Sequence, residues 1–139
     1  MSATVTVERR FAAPPEAVFD AWLDPAAASR FLFATPGGVM EKVEIDPHIG
    51  GGFTVIERRG ETQAEHHGEY VEIDRPRRLA FDFWTSFSAE RTRVSIDIEP
   101  DGGGSRVTLT HEGVGADWTE KTRQGWTTIL DGLARTLES

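Results

Sequence analysis

Three groups of residues in this chain have types and spacings that could do chemistry. The first is the glycine run inside "DPHIGGGFTVIE", residues 46–57. Glycines in series build phosphate-binding loops, because their bare backbone amides can close around an anion. A P-loop needs GxxxxGK[ST] and a dinucleotide site needs GxGxxG opening a helix; neither spacing occurs. "KVEID" before the run and Phe53-Thr54-Val55-Ile56 after it are strand-like, so the glycines predict a tight hairpin instead. The second group is "EHHGE", residues 65–69. On a strand Glu65, His67 and Glu69 share one face, a donor set that zinc accepts. Side chains in an i, i+2, i+4 row diverge, however, and no fourth ligand is evident, so an exposed polar face and no metal are expected. The third is His111, which continues the alternation of Val107 and Leu109. An imidazole there could hold a ligand or move a proton near neutral pH. It could equally be a histidine at the strand mouth whose nitrogens are taken by a backbone carbonyl or water. Asp82, Asp97 and Glu99 alternate with apolar residues and face outward, and Ser86, Ser88 and Ser95 lack a nucleophile-elbow context. No catalytic set and no cofactor motif are expected.

Composition narrows the partners. The 139 residues carry a formal net charge of −8, and arginines occur in scattered pairs (Arg9-Arg10, Arg58-Arg59, Arg77-Arg78) with acidic neighbours. Nucleic-acid binders rely on a basic face to neutralise phosphates, so DNA, RNA and anionic membranes are not expected partners. With no cysteine, disulfides, thiolate zinc sites and cysteine nucleophiles are excluded. The N-terminal "MSATVTVERR" lacks an apolar leader and no stretch approaches the length of a membrane span, so the expectation is a soluble cytoplasmic protein. Four Trp and eight Phe supply an aromatic interior for one domain over 1–139.

The elements that must position these residues follow from periodicity. "TVTVERRF" from Thr4 alternates as a strand. "PPEAVFDAWL" predicts a helix with Pro14 and Pro15 in its first turn and Val18, Phe19, Trp22 and Leu23 on one stripe. Asp24 caps a shorter helix through "AAASRFLF", ended by "TPGG" at 35–38. Six strands are predicted near 41–46, 52–59, 64–74, 78–84, 91–99 and 105–112, separated by turn-type stretches. A long helix from about Trp118 to Leu137 closes the chain, with Asp117 and Glu120 as a capping box. Its apolar face carries Thr122, Trp126, Ile129, Leu130, Leu133 and Leu137, flanked by Gly125 and Gly132. Strand parity turns Leu79, Phe81 and Phe83 inward with Val94, Ile96 and Ile98, and with Val107, Leu109 and His111. Phe53, Val55 and Tyr70 join them, although Ile56, Val71 and Ile73 leave the parity of two strands ambiguous. A meander with one apolar face needs a cover, and only the last helix is long enough to supply it.

"VERRFAAPPEAVFDAWLDP", "DPHIGGGF", "GEYVEIDRPRRLAFDF", "VTLTHEG" and "GWTTILDGLARTLE" occur in this order over nearly the whole chain. In them the sequence resembles the activator of heat-shock protein 90 ATPase homologue family of the START-like (SRPBCC) superfamily. "GGG" stands where that family usually has Gly-Gly and a larger residue, a departure confined to the hairpin. The resemblance implies an α+β helix-grip fold: a curved antiparallel sheet of about seven strands around a long C-terminal helix, with two short helices after strand 1. It further implies a cavity between sheet and helix for a small apolar or aromatic molecule, without chemistry of its own. The expected ligand-binding residues are Phe33, Phe53, Tyr70, Phe81, Phe83, Leu109, His111 and Trp126. The alternative to a cavity is a core filled by these same side chains. Two other functions stay open: a cyclase- or hydrolase-type enzyme using His111 or Tyr70, and a chaperone-related module meeting a protein partner or a second copy of itself. Eukaryotic activators carry an additional N-terminal domain that contacts the chaperone; this chain begins at the fold, so stimulation of a chaperone ATPase is not expected.

Overall fold

The computed structural model describes residues 2–34, 37–86 and 88–138, the side chains of residues 2, 88, 89 and 138 excepted. Thr35 and Pro36 of the helix-breaking "TPGG", and Phe87 of a predicted turn, lie outside the described residues. The chain runs β1 (Ser2–Phe11), α1 (Pro15–Leu23), α2 (Pro25–Phe31), β2 (Val39–Ile45), β3 (Gly52–Arg59) and β4 (Thr62–Asp74). It continues through β5 (Arg78–Thr85), β6 (Ser88–Asp101) and β7 (Gly104–Gly115), then a 3-10 turn (Ala116–Trp118) and α3 (Thr119–Glu138). The strands form one curved antiparallel sheet in the order β1-β7-β6-β5-β4-β3-β2. Two short helices after β1 and a 20-residue C-terminal helix complete an α+β helix-grip architecture.

Local chemistry explains the helix boundaries. Pro14 and Pro15 occupy the N-cap and first position of α1, where a missing N–H costs nothing. The Asp24 carboxylate accepts from the Ala26 N–H at 3.0 Å and opens α2, as a capping aspartate should. At α3 the expectation needs correction. Asp117 falls inside the 3-10 turn instead of at a helix cap, so the pairing with Glu120 is not a capping box. The apolar stripe of α3 is as predicted: Trp126, Ile129, Leu130 and Leu133 are buried. Its two glycines differ. A Cβ on Gly132 would meet the Phe31 Cβ at 3.2 Å, so α2 approaches α3 closely there, whereas a Cβ on Gly125 would meet open space.

The glycine run turns the β2–β3 corner. Gly50 has φ +86°, a left-handed conformation that suits glycine. Its neighbours are constrained by contact instead. A Cβ on Gly52 would sit 2.0 Å from the Gly68 carbonyl oxygen, and one on Gly68 would strike the Phe53 ring at 2.1 Å. The loop is tied across to β4: the Gly50 N–H donates to the Tyr70 carbonyl, and the Tyr70 N–H to the Gly51 carbonyl.

Alternation in β5, β6 and β7 places Leu79, Phe81, Phe83, Val94, Ile96, Ile98, Val107, Leu109 and His111 on the buried face. The ambiguity in β4 has a physical source. The register with β5 shifts between Tyr70 and Glu72, and a bulge reverses which side successive residues face. Tyr70 is therefore buried before the shift, while Ile73 packs against the core after it. α3 packs against β1, β7, α1 and α2. It is tethered to β1 by Arg9, which donates to Asp131 at 2.9 Å, and by Arg123, which donates to the Thr6 carbonyl at 2.9 Å.

Candidate functional site

On the inner face, β3, β4 and β5 contribute Phe53, His66, Tyr70, Phe81 and Phe83, β7 contributes Leu109 and His111, and α3 contributes Trp126. Phe33 comes from the connection after α2, with φ +58°. Its ring lies parallel to that of His66 at 4.1 Å and that of Phe83 at 5.2 Å, with Trp126 edge-on at 5.6 Å. Phe53, Phe81 and Tyr70 continue the network through tilted and edge-to-face contacts. Such pairs add about 0.5–1.5 kcal/mol each beyond area burial. All eight residues expected at a ligand site are buried, and seven of their rings belong to this network, with Leu109 packed in the same core.

Both His111 nitrogens are engaged within the protein. The Trp126 indole N–H donates to Nδ1 at 3.0 Å. That assigns the imidazole proton to Nε2, which lies 2.7 Å from the Thr92 hydroxyl. Thr92 in turn reaches the Phe83 carbonyl at 3.3 Å. Burial lowers the His111 pKa to about 4, so the ring is neutral at neutral pH. Burial, with the Asp46 carboxylate adding to it, pushes the Tyr70 phenol well above the usual range, so it is protonated at neutral pH. The arrangement gives His111 a partner set within the protein on both ring nitrogens.

Two buried polar residues join the site that sequence reading passed over. His66 is 4% exposed, and burial, reinforced by the Arg59 guanidinium, lowers its pKa to about 4. Glu57 is 1% exposed and accepts from Arg59 Nε at 2.6 Å. The signal was present: counting back from the inward Tyr70 puts Gly68, His66 and Ala64 on the inner face. Glu65, His67 and Glu69 indeed occupy the other face, where His67 meets Glu65 at 3.2 Å and Arg91 pairs with Glu69. Among the described residues no group of three His, Asp or Glu side chains is placed to hold a metal ion.

Open space lies at the end of the sheet, where β5, β6 and β7 meet the 3-10 turn and the first turn of α3. This cleft measures about 690 Å³. Phe83, Thr85, Thr92 and His111 wall its inner part, and Trp84, Glu90, Asp117 and Trp118 stand toward solvent, Trp118 being 58% exposed. Of the eight expected residues, Phe83 and His111 line it; the other six lie deeper, in the buried core cluster. The Thr85 hydroxyl is buried beside the cleft and has no hydrogen-bond partner among the described residues.

The profile of the family described as activator of Hsp90 ATPase homolog 1-like protein matches residues 12–138. The chain belongs to this family. No curated protein matches the sequence. Among solved structures, a Chromobacterium violaceum protein is similar at 26% identity and a TM-score of 0.88, over 98% of each chain. A member of the same family from Aeromonas hydrophila, solved by NMR, shares 23% identity with a TM-score of 0.86, over 98% of this chain and 92% of that one. A Staphylococcus aureus protein of unknown function reaches a TM-score of 0.89 at 12% identity, over 99% and 94%. At these identities the last two speak to the fold alone. Family and fold are consistent with a START-like ligand-binding domain, and among the described residues no helix is long and apolar enough to cross a membrane.

Proposed function

We propose that this domain binds a small molecule with an apolar or aromatic body in the cleft at the open end of the helix grip. The cleft carries the reading: about 690 Å³ falls within the roughly 300–1,000 Å³ of small-molecule sites. Its wall mixes aromatic surface with a few hydroxyls. Burial of about 200 Å² of apolar surface, ligand and wall together, contributes about 5 kcal/mol, and lost translational freedom opposes a comparable amount. Useful affinity therefore requires a polar anchor. His111 has its nitrogens committed to Trp126 and Thr92, so the Thr85 hydroxyl, without a partner among the described residues, is the better-placed group once its side chain rotates into the cleft. It suits a ligand hydroxyl, carbonyl or carboxylate.

The test is a ¹H–¹⁵N NMR screen of small aromatic alcohols and acids against the labelled protein. Binding in the cleft shifts Thr85, Thr92, Val114 and Trp118 together, and Thr85→Val weakens ligands bearing a hydroxyl while sparing unsubstituted ones. A broad screen that moves none of these signals, or moves only the outer face of the sheet, refutes the reading.

A further inference from the structure

We infer that Phe33 occupies a second, inner compartment of the site as a built-in stand-in for the ligand, and that this compartment takes a flat aromatic ring. The inference deepens the small-molecule reading above and rests on it. Phe33 is the one non-glycine residue among those described with a positive φ, at +58°. It stands directly after the C-cap Leu32 of α2, the place where helices commonly end in the left-handed conformation, usually with glycine. Its bulky side chain there is seated against three neighbouring rings. His66 and Phe83 lie 6.3 Å apart with planes within 13° of each other, too close to sit on opposite faces of Phe33. Together they make a nearly flat floor, and Phe33 is laid parallel on it, within 5° of His66 and 10° of Phe83. Trp126 stands at one side, inclined by 61°.

The other rings of this cluster are fixed by sheet ladders or by α3. Phe33 is held by neither, since it follows the last residue of α2 and precedes β2. Its ring can leave the floor without breaking a ladder. Phe83 is shared, for it forms part of the floor under Phe33 and part of the wall of the open cleft. A ligand seated in the cleft thus has an aromatic slot immediately beyond Phe83, closed by one displaceable ring. Parallel stacking on a neutral imidazole and a phenyl favours planar rings over puckered ones of equal size.

The experiment titrates indole and, as a non-planar control, cyclohexanol into the wild-type protein, Phe33→Gly and Phe33→Leu, following binding by calorimetry and the His66 ring protons by NMR. Glycine keeps the positive φ without strain and removes the plug. Wild-type affinity is reduced by the fraction of molecules with the slot open, so Phe33→Gly should bind indole at least about tenfold more tightly. Cyclohexanol should gain less, and indole should restore the ring-current shift at His66 that the variant loses. Equal indole affinity in wild type and Phe33→Gly, with shifts confined to Thr85, Thr92 and Trp118, overturns the inference while leaving cleft binding intact. No binding to any form overturns both. If Phe33→Gly does not fold, the wild-type protein decides. Loss of the Phe33–His66 NOE at saturating indole supports displacement, and its persistence rejects it.

Discussion

Replacing Trp126 with Phe isolates one bond at the centre of the grip. The indole N–H donates to His111 Nδ1 at 3.0 Å between residues that are 3% and 7% exposed. In Trp126→Phe the imidazole keeps its Thr92 partner but Nδ1 becomes a buried acceptor with none, which costs about 1–3 kcal/mol. Shrinking the indole to a phenyl leaves a gap worth on the order of 1 kcal/mol more. The expected loss is about 2–4 kcal/mol, read as a lower urea midpoint by far-UV circular dichroism. For a protein with a slope of roughly 2 kcal/mol per molar urea, the midpoint falls by about 1–2 M. His111→Phe strands the indole donor, whereas the double replacement strands neither, so the two changes should be non-additive by about 1–2 kcal/mol. A loss below about 0.5 kcal/mol for Trp126→Phe, or strict additivity in the cycle, would refute the assigned bond and the Nε2–H tautomer that follows from it.

Acid should weaken the fold through its two inner histidines. His66 and His111 titrate near 4 when folded against 6.5 when exposed, so the unfolded chain binds more protons between those values. Their contribution is constant above about pH 6.5 and falls as pH drops toward 4, by about 3 kcal/mol for each histidine; a flat urea midpoint across that window contradicts their burial as neutral rings. Gly52→Ala drives a Cβ to 2.0 Å from a backbone oxygen and should cost about 1–3 kcal/mol or more, whereas Gly50→Ala should cost on the order of 1 kcal/mol for its positive φ; equal effects in thermal melts would deny the difference. Gly125→Ala, facing open space in mid-helix, should stabilise by about 0.5–1 kcal/mol, and a lower melting temperature would place that helix face wrongly.

The sheet was legible because period-2 alternation is strong where one face is buried. Phe81, Phe83, Ile96, Ile98 and Leu109 point inward as the pattern requires. The long helix was equally plain from its apolar stripe. Legibility failed where a charged or polar residue occupies an inward position, because hydropathy is then a false guide. In β3 the apolar Ile56 is only half-buried while Glu57 is 1% exposed, and in β4 the eye is drawn to Glu65, His67 and Glu69 although His66 is the residue that enters the core. The bulge after Tyr70 could not be foreseen from composition, and it explains why Val71 and Ile73 confused the parity. Phe33 was recognisable as an aromatic near the site, but its positive φ falls directly after the C-cap of α2, a position that sequence usually marks with glycine or asparagine. No local pattern encodes the cleft, which arises from how the 3-10 turn spaces α3 from the ends of three strands.

The two flanks of the sheet are covered differently, and that difference sets how the molecule breathes. Around β1 and β7 the cover is α3, secured by Arg9, Arg123 and the apolar stripe. Over β3 to β5 it includes a single ring from a connection, Phe33, lying on His66 and Phe83. Amide protons open in contiguous units whose free energies track the packing above them. Deuterium should therefore enter β2 and β3 well before β7 and α3, through excursions in which Phe33 lifts and the rest of the fold stays closed. The weaker half of the sheet would then be the half through which solvent, and anything carried with it, first meets the aromatic interior.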